Sequence, residues 1–164
     1  MAADAPAIAR LHAESWRQTY AGLLPADYLA DAVDRDRLDV WRQRLAIVSP
    51  RARTLTARSG RDLVGFVHVE LDADPAWGAL LANLHVRPHL KGVGIGTRLF
   101  SAAREWIAGV EPGSTMYLWV LEQNADARRF YERRGGQAVE RQTLEIIPDC
   151  RVAEVRYMWP AFVR

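Results

Sequence analysis

Residues 84–99 read Leu84-His85-Val86-Arg87-Pro88-His89-Leu90-Lys91-Gly92-Val93-Gly94-Ile95-Gly96-Thr97-Arg98-Leu99. Pro88 ends a strand, because proline cannot continue a ladder. Glycines then alternate at 92, 94 and 96, and a helix opens at once, with Ile95, Leu99, Phe100, Trp106 and Ile107 at helical spacing. Backbone amides around such a turn converge on one point, and the helix N-terminus adds partial positive charge there. That is a cradle for a phosphate or pyrophosphate. Taken alone, a helix start that needs small residues for packing explains the same glycines. No Lys-Ser/Thr pair follows the last glycine, which excludes a P-loop. The turn follows the third strand of the chain rather than the first, which argues against a nicotinamide dinucleotide site.

Working outward, Gly78 to Val86 reads as the strand feeding this turn, with Leu80, Ala82, Leu84 and Val86 apolar on one face. Met116 to Leu121 is apolar on both faces, as a buried central strand should be. Strand 78–86, helix 94–107 and strand 116–121 therefore form one crossover, predicted parallel and right-handed. Upstream, Asp4 precedes a helix with Ile8, Leu11, Trp16 and Tyr20 inward, ending near Gly22. Leu23-Leu24-Pro25 is a loop. Asp34 to Val48 is a second helix, packing Leu38, Trp41, Leu45 and Val48, and Pro50 stops it. Thr54–Arg58 and Leu63–Leu71 form a hairpin about Ser59-Gly60-Arg61-Asp62. Asp72 to Trp77 is a loop. Downstream, Asn124 caps a helix to Arg134, with Asp126 in its first turn and Gly135-Gly136 after it. Two strands close the chain, Ala138–Ile147 and Arg151–Trp159, the second with Ala153, Val155, Tyr157 and Trp159 on one face. The fold class is mixed α/β: a mostly antiparallel twisted sheet with one parallel crossover and helices on both faces, in one domain over residues 1–164.

The composition agrees with that reading. Of 164 residues, 49% are apolar and 26% charged, which excludes a disordered or low-complexity chain. The 22 basic and 20 acidic residues are interleaved, net charge +2, and Lys91 is the only lysine. Such mixing describes a solvated surface mildly attractive to an anionic ligand, not a nucleic-acid interface. No apolar run reaches membrane-spanning length, and Met1 to Pro6 has no signal-peptide pattern, so neither membrane insertion nor export is expected. The single cysteine, Cys150, forms no internal disulfide, which fits a cytoplasmic protein. Cys150 is followed by Arg151, but no histidine stands beside it in the sequence to act as base, so no nucleophile role is expected. His85 and His89 share the i, i+4 spacing of helical metal ligands, but Pro88 lies between them at a strand end, so no metal is expected.

A second constellation lies at Leu118-Trp119-Val120-Leu121-Glu122-Gln123-Asn124-Ala125-Asp126-Ala127-Arg128-Arg129-Phe130-Tyr131-Glu132-Arg133-Arg134-Gly135-Gly136. Asn124 and Tyr131 are two helical turns apart, on one face. An asparagine can fix an amide-rich ligand and a tyrosine hydroxyl can donate a proton. In isolation, a cap and a packed aromatic account for both. Taken together, the two stretches resemble the GCN5-related N-acetyltransferases, the GNAT superfamily. Lys91-Gly92-Val93-Gly94-Ile95-Gly96 is similar to that family's Gln/Arg-x-x-Gly-x-Gly/Ala turn, with lysine where arginine or glutamine is usual. Asn124 through Tyr131 to Gly135 is similar to its Asn-x6-Tyr-x3-Gly segment. Trp119 to Asn124, Ser15-Trp16 and Tyr20 to Pro25 are typical of a bacterial small-molecule branch.

The resemblance implies acetyl-CoA as donor and the primary amine of a small molecule as acceptor, joined by direct attack in a ternary complex. It implies that the amides of Gly92, Val93, Gly94, Ile95, Gly96 and Thr97 hold the pyrophosphate beside Lys91. The pantetheine arm would lie along Leu84, His85 and Val86, in a gap between the two parallel strands. Asn124 would hold that arm, and Tyr131 would protonate the leaving thiolate. Members often dimerise through the C-terminal strands, which implies a homodimer; strand 137–147 reads as an exposed edge. Two departures stand out. Only Met1 to Asp4 precede the first helix, where the family has a strand. The two positions at which members carry a glutamate base are Leu80 and Trp119 here. Water, Glu14, His68, Glu70, His85 and Glu122 are then the candidates for removing the amine proton. Trp16, Tyr20, Trp77 and Trp119 are the aromatic candidates for an acceptor pocket, with packing the simpler account of each. The missing base also motivates a rival reading, a CoA-binding relative without catalysis. Acylation of a protein N-terminus or lysine is the other.

Overall fold

The computed structural model describes residues 2–161. Its elements are α1 (Ala5–Thr19), α2 (Val33–Ala46), β1 (Ala52–Ser59), β2 (Asp62–Asp74), β3 (Gly78–Val86), α3 (Ile95–Val110), β4 (Met116–Leu121), α4 (Ala125–Glu132), β5 (Gln137–Ile147) and β6 (Cys150–Trp159). Short 3-10 turns cover Ala2–Asp4 and Pro88–Leu90, and a π-helical turn covers Tyr28–Ala32. The strands form one six-stranded sheet in the order β1-β2-β3-β4-β6-β5. β3 and β4 run parallel, with Ala79 opposite Met116 and Leu80 opposite Tyr117. β6 is antiparallel to β4 along all of Met116–Leu121 and antiparallel to β5. The predicted mixed sheet with one parallel crossover is therefore present.

The chain forms two compact units. One holds the chain up to His68 with Asn83–Ala103; the other holds Val69–Ala82 with the chain from Arg104. In the first, Ala5, Ile8, Ala9 and Leu11 of α1 pack with Trp41 of α2 and with Leu63 and Phe66 of β2. A proline in the first turn starts α1 without losing a needed donor. Asp4 makes no capping hydrogen bond and instead pairs with Arg58. Trp41 is fully buried, and its indole N–H finds an acceptor in His12 Nδ1 at 2.9 Å. In the second unit, β6 contributes Val152, Val155, Tyr157 and Trp159 to the core. Trp159 Nε1–H donates to the Arg134 carbonyl at 2.8 Å, which ties the end of α4 to β6.

Several local expectations need correction. α2 ends at Ala46, so Ile47 and Val48 stand 75% and 96% exposed; Val48 does not pack. Between the Leu23–Pro25 loop and α2, a stretch to which the sequence assigns no element, Asp27 accepts from the Tyr28 N–H and opens the π-turn. Trp16 and Tyr20 are half-buried and lie against each other, ring centroids 4.6 Å apart and tilted by 44°, instead of entering the core. In β6, Ala153 is exposed and Val152 buried.

The face of β3 is the most instructive correction. Ala79 and Leu81 are the buried residues, not the even-numbered set. Asn83 and His85 share their parity, and polarity made that face look solvated. Each has a partner from α1 or α2: Arg44 Nη1 donates to Asn83 Oδ1 at 2.9 Å, and Ser15 Oγ lies 2.7 Å from His85 Nδ1. A buried polar side chain that is hydrogen-bonded is compatible with a covered face.

The start of the parallel pair is held by backbone. Gly78 has φ +80, and a Cβ there would lie 2.5 Å from the Thr115 carbonyl oxygen. That carbonyl accepts from the Ala79 N–H at 3.0 Å, while Thr115 Oγ1 donates to the Trp77 carbonyl at 2.9 Å. Gly78→Ala is expected to lower stability by about 2–5 kcal/mol, combining left-handed strain of ~1–2 kcal/mol with overpacking of ~1–3 kcal/mol. Urea unfolding measures it, and a change within about 0.5 kcal/mol, the range of an ordinary surface substitution, would contradict the contact.

Candidate active site

The glycine turn is built by fixing the chain on either side of it. At the exit of β3, the Arg87 N–H donates to the Val64 carbonyl and Arg87 Nε to the Leu63 carbonyl, both at 2.9 Å. Pro88–Leu90 turns the chain, closed by Leu90 N–H to the Arg87 carbonyl at 2.9 Å. Gly92 and Gly94 then take φ +86 and +88, the left-handed region that side chains rarely adopt. A Cβ at either glycine would meet nothing within 4 Å, so the space beside this backbone is open. The first helical bond of α3 runs from the Arg98 N–H to the Gly94 carbonyl at 3.1 Å. Helix geometry leaves the amides before it, Ile95 and Gly96 among them, without an intrahelical acceptor. Lys91 and Arg98 are exposed on either side, while Ile95 and Leu99 anchor the turn in the core. The result is an open, positively flanked nest of amides at a helix N-terminus, matched to an anion.

Gly65 of β2 is a residue the sequence reading passed over. A Cβ there would lie 3.0 Å from Leu99, 3.1 Å from the His85 carbonyl and 3.2 Å from Ile95. Its bare backbone lets the start of α3 sit close to the end of β3. A glycine inside a strand was the available signal.

Along β3, Leu84, His85 and Val86 are half-buried. His85 belongs to an aromatic cluster with His12 (ring centroids 4.6 Å apart) and Phe66 (5.2 Å). Burial, then the charges of Lys91 and Arg37, push His85 down to about 4. Burial first, then His85 and two arginines, also lower His12. Both imidazoles are therefore neutral near pH 7. Of the other base candidates, His68 is buried with Nδ1 2.8 Å from Thr54 Oγ1, a core position. Glu122 pairs with Arg141 at 3.3 Å. Glu14 and Glu70 are half-buried.

In the second unit, Asn124 caps α4: its Oδ1 accepts from the Ala127 N–H at 3.1 Å, which leaves its amide N–H groups to donate elsewhere. Tyr131 is 8% exposed, its ring edge-on to Trp159 at 5.9 Å. Its carbonyl accepts from the Gly136 N–H at 3.0 Å, and Gly135 at φ +79 ends the helix as expected. Burial raises the Tyr131 hydroxyl above its ordinary value, so the phenol stays protonated at physiological pH.

A family model for the acetyltransferase (GNAT) family matches residues 8–136. The uncharacterized N-acetyltransferase YuaI of Bacillus subtilis is 27% identical over 161 residues, covering 96% of this chain and 88% of its own. Among solved structures, an acetyltransferase from Thermus thermophilus is similar at 26% identity and TM-score 0.65, over 98% of this chain and 92% of that one. The PaiA N-acetyltransferase of Thermoplasma acidophilum, solved with coenzyme A, shares the fold at 20% identity and TM-score 0.69, over 96% of this chain and 94% of that one.

The neutral histidines have a consequence for acid stability. A ring at 6.5 when unfolded and about 4 when folded stabilises the fold fully above pH 6.5. That contribution is lost as pH falls toward 4, because the unfolded chain takes up the proton first. Stability from urea unfolding should therefore decline between pH 7 and pH 5. His85→Asn, which can still hydrogen-bond Ser15, should show a shallower decline. An equal slope in both proteins would contradict a His85 held neutral in the fold.

Proposed function

The chain belongs to the acetyltransferase (GNAT) family, and from that premise we propose that it transfers acetyl from acetyl-CoA to the primary amine of a small molecule, by direct attack in a ternary complex. The observation that carries the proposal is the turn from Lys91 to Thr97, where Gly92 and Gly94 hold positive φ beside open space at the start of α3. That backbone fits a pyrophosphate, and coenzyme A is bound in related structures, including that of PaiA. Acetyl-CoA supplies an activated thioester, whose C–S bond breaks as the amine nitrogen bonds to the carbonyl carbon.

The residues divide that work. The amides of Gly92, Val93, Gly94, Ile95, Gly96 and Thr97, with Lys91, hold the diphosphate charge. The backbone of Leu84, His85 and Val86 offers peptide groups to the pantetheine amides, and Asn124 offers its side-chain N–H groups to the same arm. Tyr131, protonated and buried, donates to the departing thiolate. With His68 in the core and Glu122 paired, water, Glu14, Glu70 or His85 removes the amine proton in this reading. The location is cytoplasmic, and the working form is a homodimer through β5, the edge strand that exposes Val139 and Leu144. Among the described residues no helix is long and apolar enough to cross a membrane.

Two variants separate the roles. Gly94→Ala fills the open space and strains a positive φ, so acetyl-CoA should bind about tenfold or more weakly, equivalent to ~1.4 kcal/mol. Calorimetry beside a urea curve distinguishes lost binding from lost fold, and unchanged affinity would remove the turn from the site. Tyr131→Phe keeps the ring against Trp159 and removes only the hydroxyl. Turnover should fall by about 10²-fold, within the range of general acid catalysis, with the acetyl-CoA dissociation constant nearly unchanged. The loss should shrink at high pH, where a thiolate needs less help. Thiol release from acetyl-CoA across a panel of amines and peptides tests the reaction itself. Tight CoA binding without turnover would favour a binding protein, and turnover on peptides alone would favour protein acylation.

A further inference from the structure

Within the second unit, the guanidinium of Arg156 lies over three aromatic rings: Trp77 at 4.1 Å, Trp119 at 4.4 Å and Tyr117 at 5.3 Å. The residue is 8% exposed. Strand register explains the arrangement. Arg156 on β6 stands opposite Trp119 on β4 and opposite Glu140 on β5, so the three form one row across the sheet. Glu140 Oε2 lies 3.1 Å from Arg156 Nη1, yet without hydrogen-bond alignment. Nε and Nη1 are buried and have no hydrogen-bond partner among the described residues.

Arg37 and Arg134 each bury one Nε that makes no hydrogen bond among the described residues, but Arg156 buries two such nitrogens. The ring faces stabilise the charge, but they offer it no hydrogen-bond acceptor. Buried donors left unmatched are costly, and more so on a charged group. A structural arginine would be expected to spend these N–H groups on protein acceptors, as Arg128 does elsewhere in this unit on the Glu122 carbonyl and the Tyr157 hydroxyl. The group that completes a flat, ring-clamped guanidinium is a carboxylate, whose two oxygens match its fork.

We propose that Arg156, clamped by Trp77 and Trp119, binds the carboxylate of the acceptor, so that the substrate class is a primary amine that also carries a carboxylate. The assignment rests on the acetyl-transfer reading above. Glu140, with its side chain 45% exposed, is the placeholder: the substrate carboxylate takes over the guanidinium and Glu140 turns to water. The exchange keeps the charge of the site balanced, one anion for another.

The test compares free amino acids with their carboxamides as acceptors, each pair differing in the charge that Arg156 would bind. Wild type should favour the acid by about 10- to 100-fold in kcat/KM, the range for hydrogen bonds to a charged group. Arg156→Gln should abolish most of that ratio through KM for the acid, with acetyl-CoA affinity retained. Arg156→Lys should restore it in part, since charge returns without the fork. Glu140→Gln covers the case in which the arginine variants do not fold. It removes the competitor, so KM for the acids should fall while KM for the carboxamides stays put. A purely structural Arg156 would give unstable variants with an unchanged acid-to-amide ratio. Turnover that uses both members of each pair equally, or a Glu140→Gln variant with unaltered KM for the acids, overturns the assignment alone. No turnover on any acceptor removes the acetyl-transfer reading and this assignment with it.

Discussion

Everything proposed for the cofactor end of this protein depends on two backbone angles. Between the end of β3 and the first bond of α3 the chain adopts positive φ at Gly92 and again at Gly94. An L side chain resists that conformation, costing roughly 1–2 kcal/mol per residue, so the two glycines are a requirement of the turn's shape. Arg87 fixes the entrance by bonding both Leu63 and Val64 carbonyls, and Ile95 and Leu99 fix the exit in the core. Gly65 sets how near the exit can approach the strand. A rigid frame thus surrounds a short open stretch of main chain at a helix start, which is the condition for binding an anion through main-chain amides.

Burial sets the chemistry of the side chains around that frame. His12 and His85 are held neutral, one accepting from the Trp41 indole and the other bonded to Ser15. A neutral His85 near Lys91 avoids adding a second cation there. In the other unit, the same desolvation works in reverse on Tyr131, keeping its proton in place. A phenol that stays protonated can donate to a thiolate throughout the physiological range, whereas a phenol of lowered pKa would begin to repel it.

Features set by neighbouring residues were legible in the sequence. The bounds of β3 and β4, the glycine turn, the Asn124 cap and the Gly135 terminus all follow from period, capping or positive φ, each decided within a few residues. What escaped was decided by partners far along the chain. The covered face of β3 was misread because Asn83 and His85 look solvated until Arg44 and Ser15, 39 and 70 residues away, are seen to bond them. The Arg156 clamp needs Trp77, Trp119 and Glu140 from three other segments, and only strand register brings Trp119 and Glu140 beside it. Val48 failed for a local reason: α2 stops at Ala46, two residues before the apolar pattern does.

The central claim is that the Lys91–Thr97 turn holds the diphosphate of acetyl-CoA with its main-chain amides. The most direct measurement is a coenzyme A titration of the 15N-labelled protein followed by amide resonances. The account requires that the amides of Gly92, Gly94, Ile95 and Gly96 shift together and saturate with the binding isotherm, and that desphospho fragments lacking the diphosphate leave them in place. Saturable binding with those amides unmoved, and the shifts gathered elsewhere, would contradict it.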